Sequence, residues 1–226
     1  MAKVVVFGTE LTAELAHYYL VNDSEHEIVA FTVHGAYLKE TIFKGLPVVP
    51  FEELELIYPP SEYHFFSPLT EIQMNQFRAK VFFDAKAKGY QCINYISSHA
   101  TVLTTDIGEN NFILEDNTIQ PFVKIGDNNV FWSGNHIGHH GTIGSHIFFT
   151  SHVVLSGRCV VGDYCFFGVN ATIRDKLTIG EGTLLAMGAN LTKPTPPWSV
   201  WKGNPATMMS MSSKDIDTKP KTPSSN

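Results

Sequence analysis

No run of lysine or arginine occurs anywhere in this 226-residue chain, whose formal charge is -6, so a groove tracking nucleic-acid phosphates or a basic membrane anchor is not expected. Long apolar runs are missing too. The N-terminal MAKVVVFG has one cation and too short an apolar run for a secretory signal, and no later run approaches the roughly 20 residues of a membrane span, which points to a cytoplasmic protein. Cysteine is scarce. Cys92, Cys159 and Cys165 include no C-x-x-C pair, and an odd count without a secretory signal reads as buried reduced thiols, not disulfides or a thiolate metal site. The 43% of hydrophobic residues suffice for one large domain or two modest ones.

The second half has a period. Every sixth residue from Ile107 to Leu191 is Ile, Leu, Val or Phe, which excludes a helix and fits a short strand plus a turn per hexad. Glycine follows at Gly108, Gly126, Gly144, Gly162 and Gly180, so three hexads make one coil of 18 residues. Four positions after each apolar residue the side chain is mostly small or thin, as at Val123, Gly141, Val153, Cys159, Cys165, Ala171, Thr183 and Ala189, suiting the inside of a narrow prism. The expected architecture is a triangular parallel β-solenoid in which each residue lies over the one 18 positions away.

The first 96 residues alternate differently. KVVVFG reads as a buried strand, TELTAELAHYYL as an amphipathic helix and EIVAFTV as a second strand, a βαβ unit that LPVV, FEELELI, YHFF, a long helix over EIQMNQFRAKVFFDAKAKG and QCINYI continue. The expectation is a Rossmann-like domain over 1–96, a solenoid over 97–209 and a polar, disordered tail over 210–226.

The repeats IGENNF, IGDNNV, IGSHIF, VGDYCF and IGEGTL resemble those of left-handed β-helix acyltransferases. Together with the Rossmann-like head, the His-rich segment SGNHIGHHGTIGSH (133–146) and the closing VWKGNPA, the whole chain resembles bacterial sugar acyltransferases of the sialic-acid O-acetyltransferase and bacillosamine N-acetyltransferase type. That resemblance implies a homotrimer with acetyl-CoA between neighbouring solenoids, a nucleotide-linked amino sugar held by the head, and no metal cofactor. It also implies left-handedness, an exception to the usual crossover rule.

His139 falls two positions after Ile137, an outward site, and Gly157 stacks over it. The resemblance assigns these the roles of general base and thioester-carbonyl donor. An imidazole, with an unperturbed pKa of about 6.5, suits the first role. Relatives commonly place an acid after the base; here it is His140, with Arg158 stacked above, and a carboxylate from a neighbouring subunit, Glu115 or Asp116, is one substitute. His140 and His136 are candidates for orienting or binding substrate, and His146 and His152 for structural or CoA-lining roles. Gly168, Ala186 and Gly188, with Lys202, Gly203, Pro205 and Ala206, are expected on the CoA side, and Trp198 and Trp201 either flank adenine or cap the core. In the head, Gly8, Thr9, Thr32 and His34 are the nucleotide-side candidates, although FGTELTAE lacks a Gly-Gly-His run.

Other readings stay open. They are sugar O-acetylation, a zinc hydratase of the γ-carbonic-anhydrase kind and a non-catalytic scaffold. No two histidines are separated by five, as that zinc family requires, and no Thr-x-Thr ladder of an ice-binding surface occurs.

Overall fold

The computed structural model describes residues 1–216. The head is a five-stranded sheet built from β1 (Lys3–Phe7), β2 (Glu27–Val33), β3 (Ile42–Phe43), β4 (Leu46–Pro50) and β5 (His64–Phe66), in the order β3-β4-β2-β1-β5. Helices α1 (Leu11–Asn22), α2 (Leu54–Ile57) and α3 (Gln76–Ala87) connect and cover it. β1 pairs in parallel with β2 and β5, as the βαβ reading required. The long helix expected over 71–89 begins only at Gln76, because Gln73, Met74 and Asn75 are all left-handed. Those residues are committed to the solenoid instead: the Asn75 amide donates to the carbonyls of Tyr164 and Cys165, and Met74 is buried with Leu184 and Val200.

The solenoid starts at Tyr95–Ile96 and has three parallel sheets of two-residue rungs. Sheet I contains Phe112–Ile113, Val130–Phe131, Phe148–Phe149, Phe166–Phe167 and Leu184–Leu185; sheet II contains Thr118–Ile119, His136–Ile137, Val154–Leu155, Thr172–Ile173 and Asn190–Leu191; sheet III contains Lys124–Ile125, Thr142–Ile143, Val160–Val161 and Thr178–Ile179. From Phe112 to Leu191 each rung pairs with the one 18 residues on, as Val130 with Phe148 and His136 with Val154, while at the two ends the spacing shortens to 17 (Tyr95 with Phe112) and 16 (Leu184 with Val200). The hexad residues form a single core, all but the partly buried Ile107 at 4% exposure or less. Phe131, Phe149 and Phe167 form an aromatic column with neighbouring centroids 4.6 and 4.7 Å apart. The sequence pattern missed a buried polar thread: Asn111, Asn129 and Asn135 turn inward at their corners and accept backbone amides from the next coil, satisfying groups that burial would otherwise penalise.

Each corner turns through one left-handed residue, among them Asn110, Asn128, His146 and Tyr164 between sheets III and I, and Phe122, His140, Arg158 and Lys176 between II and III. Asn, Asp and His tolerate that conformation better than most side chains. His140, His146 and His152 all occupy such positions, so part of the histidine cluster has a backbone cause.

The head covers sheet I. Val4, Val6, Leu20 and Phe66 pack with Phe112, Val130 and Phe148 in one cluster. Arg78, fully buried on α3, donates to the carbonyls of Asn128, His146 and Ile147 and to Asn75. Asp23 accepts from Tyr95, Ser97 and the Ser98 amide, which hold its carboxyl well below the usual range. At the other end the strands Ser199–Lys202 and Thr207–Ser212 close the prism, and Trp201 caps its core. The tail expected over 210–226 is therefore wrong for 210–216: Ser213 is buried and donates to the Gly182 carbonyl, while Met211 and Ile216 pack beside Leu184. Residues 217–226 of that expectation lie outside the described residues. Among the described residues no helix is long and apolar enough to cross a membrane.

His146 belongs to this docking surface. Its Nδ1 lies 2.8 Å from the Asn128 amide nitrogen, and Tyr164, Phe82 and Phe83 surround the ring. Burial, with Arg78 adding to it, pushes its pKa down to about 4. The folded value lies below the unfolded one, so the unfolded chain binds the extra proton and stability falls as pH drops through about 6.5. Denaturant titrations are expected to show the wild type losing about 2 kcal/mol between about pH 6.5 and 5 through this group. His146→Asn, which keeps a residue suited to the corner, should flatten that slope to the background from His17 and His26, both also lowered by burial.

Candidate functional site

The corner between sheets II and III stacks Pro121, His139, Gly157, Asp175 and Lys193, one per coil. Backbone bonds lock the stack: the Arg158 amide donates to His139 O at 2.9 Å and the Lys176 amide to Gly157 O at 3.0 Å. His139 is exposed, and its ring lies under Gly157, where a β-carbon would come within 3.0 Å of Nε2. The Gly157 amide donates to no group among the described residues. The reason lies one coil below. At the preceding coil the equivalent amide, that of His139, is taken by the side chain of Gln120; at Gly157 that side chain would come from position 138, which is glycine. A β-carbon at 138 would press on the Gly157 nitrogen itself. Gly138 thus keeps the amide open, a role the sequence reading missed although the 18-residue stacking contained the signal. The result is an imidazole nitrogen and an unpaired N–H on one ledge, the pairing that accepts a proton and stabilises an oxyanion.

His140 adjoins it, with its Nδ1 3.0 Å from Nδ1 of His139 and its ring 4.6 Å from that of Phe122. His136 is half-buried on sheet II, in the same coil. Below the ledge a hollow of about 470 Å³ opens between Leu103, Asp106, Phe122 and Lys124. Above it Arg158, Arg174, Lys176 and Lys193 are exposed on the same corner, a cationic ladder that the sequence reading did not single out beyond Arg158.

The other expected positions lie elsewhere. Gly168, Ala186 and Gly188 stack at the corner between sheets I and II, and the loop with Lys202, Gly203 and Pro205 closes above them, its Gly203 carbonyl accepting from Asn190. They form one wall, but a six-residue side, up to about 20 Å long, separates it from His139. Glu115, considered as a carboxylate lent to a neighbour, accepts from Tyr19 and Ser133 of its own chain. His152 is exposed at the I–II corner, and His146 is structural.

In the head, Thr32 is corrected to a structural residue: it is fully buried and its hydroxyl donates to Val49 O. The Gly8 amide is used by Thr32 O. His34 and the Gly35 amide both bond Glu52, whose carboxyl is held below its usual range chiefly by that amide and also by His34. Thr9 stays partly exposed before α1, whose start carries Glu10 and Glu14, an unfavourable pair for a phosphate. Among the described residues no three His, Cys, Asp or Glu side chains converge as a metal site.

Residues 104–139 match the family model for the bacterial transferase hexapeptide (six repeats). No curated protein sequence matches the chain. Among solved structures, a histidine-to-asparagine variant of perosamine N-acetyltransferase from Caulobacter crescentus, in complex with CoA and GDP-perosamine, superposes with a TM-score of 0.80 at 21% identity, over 93% of this chain and 98% of that one. The acetyltransferase domain of PglB from Neisseria gonorrhoeae gives 0.78 at 18%, over 92% and 100%. WeeI from Acinetobacter baumannii gives 0.76 at 22%, over 92% and 100%. The likeness establishes the fold, an α/β head on a left-handed parallel β-helix, as the resemblance had implied.

The two ledge glycines are expected to differ in cost. Gly138→Ala forces backbone apart and should destabilise the protein by about 1–3 kcal/mol. Gly157→Ala meets an exposed ring that can swing away and the His139 carbonyl oxygen at 3.2 Å, a milder contact than the one at 138, and should cost no more than about 1 kcal/mol while displacing His139. Denaturant midpoints of the two variants check the order.

Proposed function

We propose that this chain is a cytoplasmic, acetyl-CoA-dependent N-acetyltransferase acting on the amino group of a nucleotide-linked amino deoxysugar for surface-glycan synthesis. The observation that carries this reading is the exposed His139 imidazole beneath Gly157, whose N–H is kept open by Gly138. The amine nitrogen attacks the thioester carbonyl carbon and gives its proton to Nε2 of His139. Charge growing on the carbonyl oxygen is met by the Gly157 N–H, a contribution of about 2.7–4 kcal/mol for such a donor. Collapse breaks the C–S bond, and the proton held by His139 goes to the departing thiolate. No acyl-enzyme is required.

The cations at Arg158, Arg174, Lys176 and Lys193 suit the phosphates of CoA, and the small-residue wall at Gly168, Ala186 and Gly188 suits its extended arm. Because these lie on two different corners, one ligand touching both is best served by a second copy, which supports a homotrimer. The acceptor sugar would enter from the hollow beside Phe122. The CoA and GDP-perosamine bound to the Caulobacter relative support the substrate class. Transfer to a sugar hydroxyl is the competing reading; alcohols need a stronger base arrangement, and among the described residues no carboxylate bonds His139.

Thiol release from acetyl-CoA with a panel of UDP-, dTDP- and GDP-linked 3- and 4-amino sugars is expected to identify an amine acceptor. His139→Ala should lower kcat at least about 100-fold with little change in the KM for acetyl-CoA. Failure to acylate any amine, or full activity in His139→Ala, would refute the reading.

A further inference from the structure

The contact between His139 and His140 carries more information than proximity. Their Nδ1 atoms are 3.0 Å apart, with the rings at 90°. Two imidazole nitrogens at that separation attract only with one hydrogen between them; two hydrogens repel, and none leaves lone pairs facing each other. We propose that His140 is a positioning residue and proton partner: it accepts the Nδ1 hydrogen of His139, fixing the tautomer in which the bare Nε2 lies beneath Gly157. When Nε2 takes the acceptor's proton, the Nδ1 hydrogen passes to His140.

His140 is built to hold this orientation. Its backbone is left-handed (φ 55), its amide donates to Pro121 O at 3.3 Å, and Phe122 packs against its ring at a tilt of 42°. The surrounding charges do not supply an alternative. Arg158 stacks over His140 one coil above, Asp175 stacks over Gly157 and pairs with Lys176 at 3.9 Å, and Gln120, Pro121 and Phe122 below are uncharged. Further along, Lys124 and Asp106 pair with each other at 3.9 Å. A second imidazole can take up a proton without first placing an anion at the site, and the like charge of Arg158 above favours the proton's prompt return.

The protons balance. The amine loses one to Nε2 of His139, and the Nδ1 hydrogen moves to Nδ1 of His140, which becomes the imidazolium. As the C–S bond breaks, His139 gives the Nε2 proton to sulfur and the shared hydrogen returns. The catalytic half of this proposal rests on the acetyl-transfer reading; the shared hydrogen does not.

The test is a nitrogen-15 NMR titration of the histidine-labelled full chain, combined with pH profiles of turnover, for the wild type, His140→Gly and His140→Asp. Glycine and aspartate both suit the left-handed corner, so both variants should fold, as thermal melts will verify. In the wild type, Nδ1 of His139 is expected to carry the hydrogen, and the two rings to titrate as a coupled pair in two steps. His140→Gly should give His139 mixed tautomers and a single step, lower kcat about 10- to 100-fold, move the acid limb of the pH profile and leave the KM for acetyl-CoA within about twofold. His140→Asp restores an acceptor and should recover most of kcat. A hydrogen on Nε2 of wild-type His139, or a His140→Gly protein with an unchanged tautomer and pH profile, overturns the proposal. A shared hydrogen without amine turnover sinks acetyl transfer and leaves the pair standing; turnover without the shared hydrogen sinks the pair alone.

Discussion

The 18-residue register of the solenoid is the constraint on which everything else depends. Parallel ladders hold each residue over its counterpart in the next coil, as His136 over Thr118 and under Val154, and the inward hexad residues fill the prism so completely that slippage by one would expose the core. Because the scaffold is satisfied by backbone bonds and the apolar interior, the outward corner positions are free to carry chemistry. A functional group can be placed over an empty position with no loop to order. The ledge at His139, Gly157 and Gly138 is built this way, from three residues whose relation is set entirely by register.

That same register explains what could be read without coordinates. The core, the inward cysteines and the stacking of Gly157 on His139 followed from periodicity, since each depends on a spacing and not on a long-range contact. Gly138 escaped because its effect is a missing side chain acting on an amide 19 residues away, visible only once Gln120 shows what a side chain does at the equivalent place. The histidines at 140, 146 and 152 share a backbone cause that the sequence does not display, because left-handed corners leave no mark in a hydrophobic pattern. His146 shows the difference, being buried with aromatic rings and Asn128 and unavailable to a substrate.

The head was legible in type and less so in detail. Strand and helix alternation gave its βαβ core, but Thr32 was misjudged, since a hydroxyl after a strand can face a ligand or a neighbouring carbonyl, and here β4 supplies the carbonyl. The left-handed run at Gln73, Met74 and Asn75 also opposed the helical pattern around it. Its cause is tertiary. The chain must turn there to seat Asn75 and Arg78 on the carbonyls of successive solenoid corners, where hydrogen bonds to a charged group are worth about 1.5–3 kcal/mol each. These clamps, with Asp23 and Tyr19, attach the head to sheet I and leave sheets II and III uncovered.

The division of faces bears on the chemistry. With sheet I occupied, the II–III corner holding His139 and the I–II corner holding the small-residue wall bound the same face, sheet II, whose outward residues include His136, Val154 and Thr172. A ligand long enough to use both would lie across that face, and in the homotrimer proposed above a second prism would cover it. Such a site would exclude water on one side by a neighbouring wall, where the His139–His140 contact gains from the lower dielectric. A carboxylate beside His139 would carry its charge before any proton arrives, whereas two imidazoles remain neutral until then. Arg158, stacked one coil above, disfavours a lasting imidazolium there, so the proton is held only until the thiolate departs.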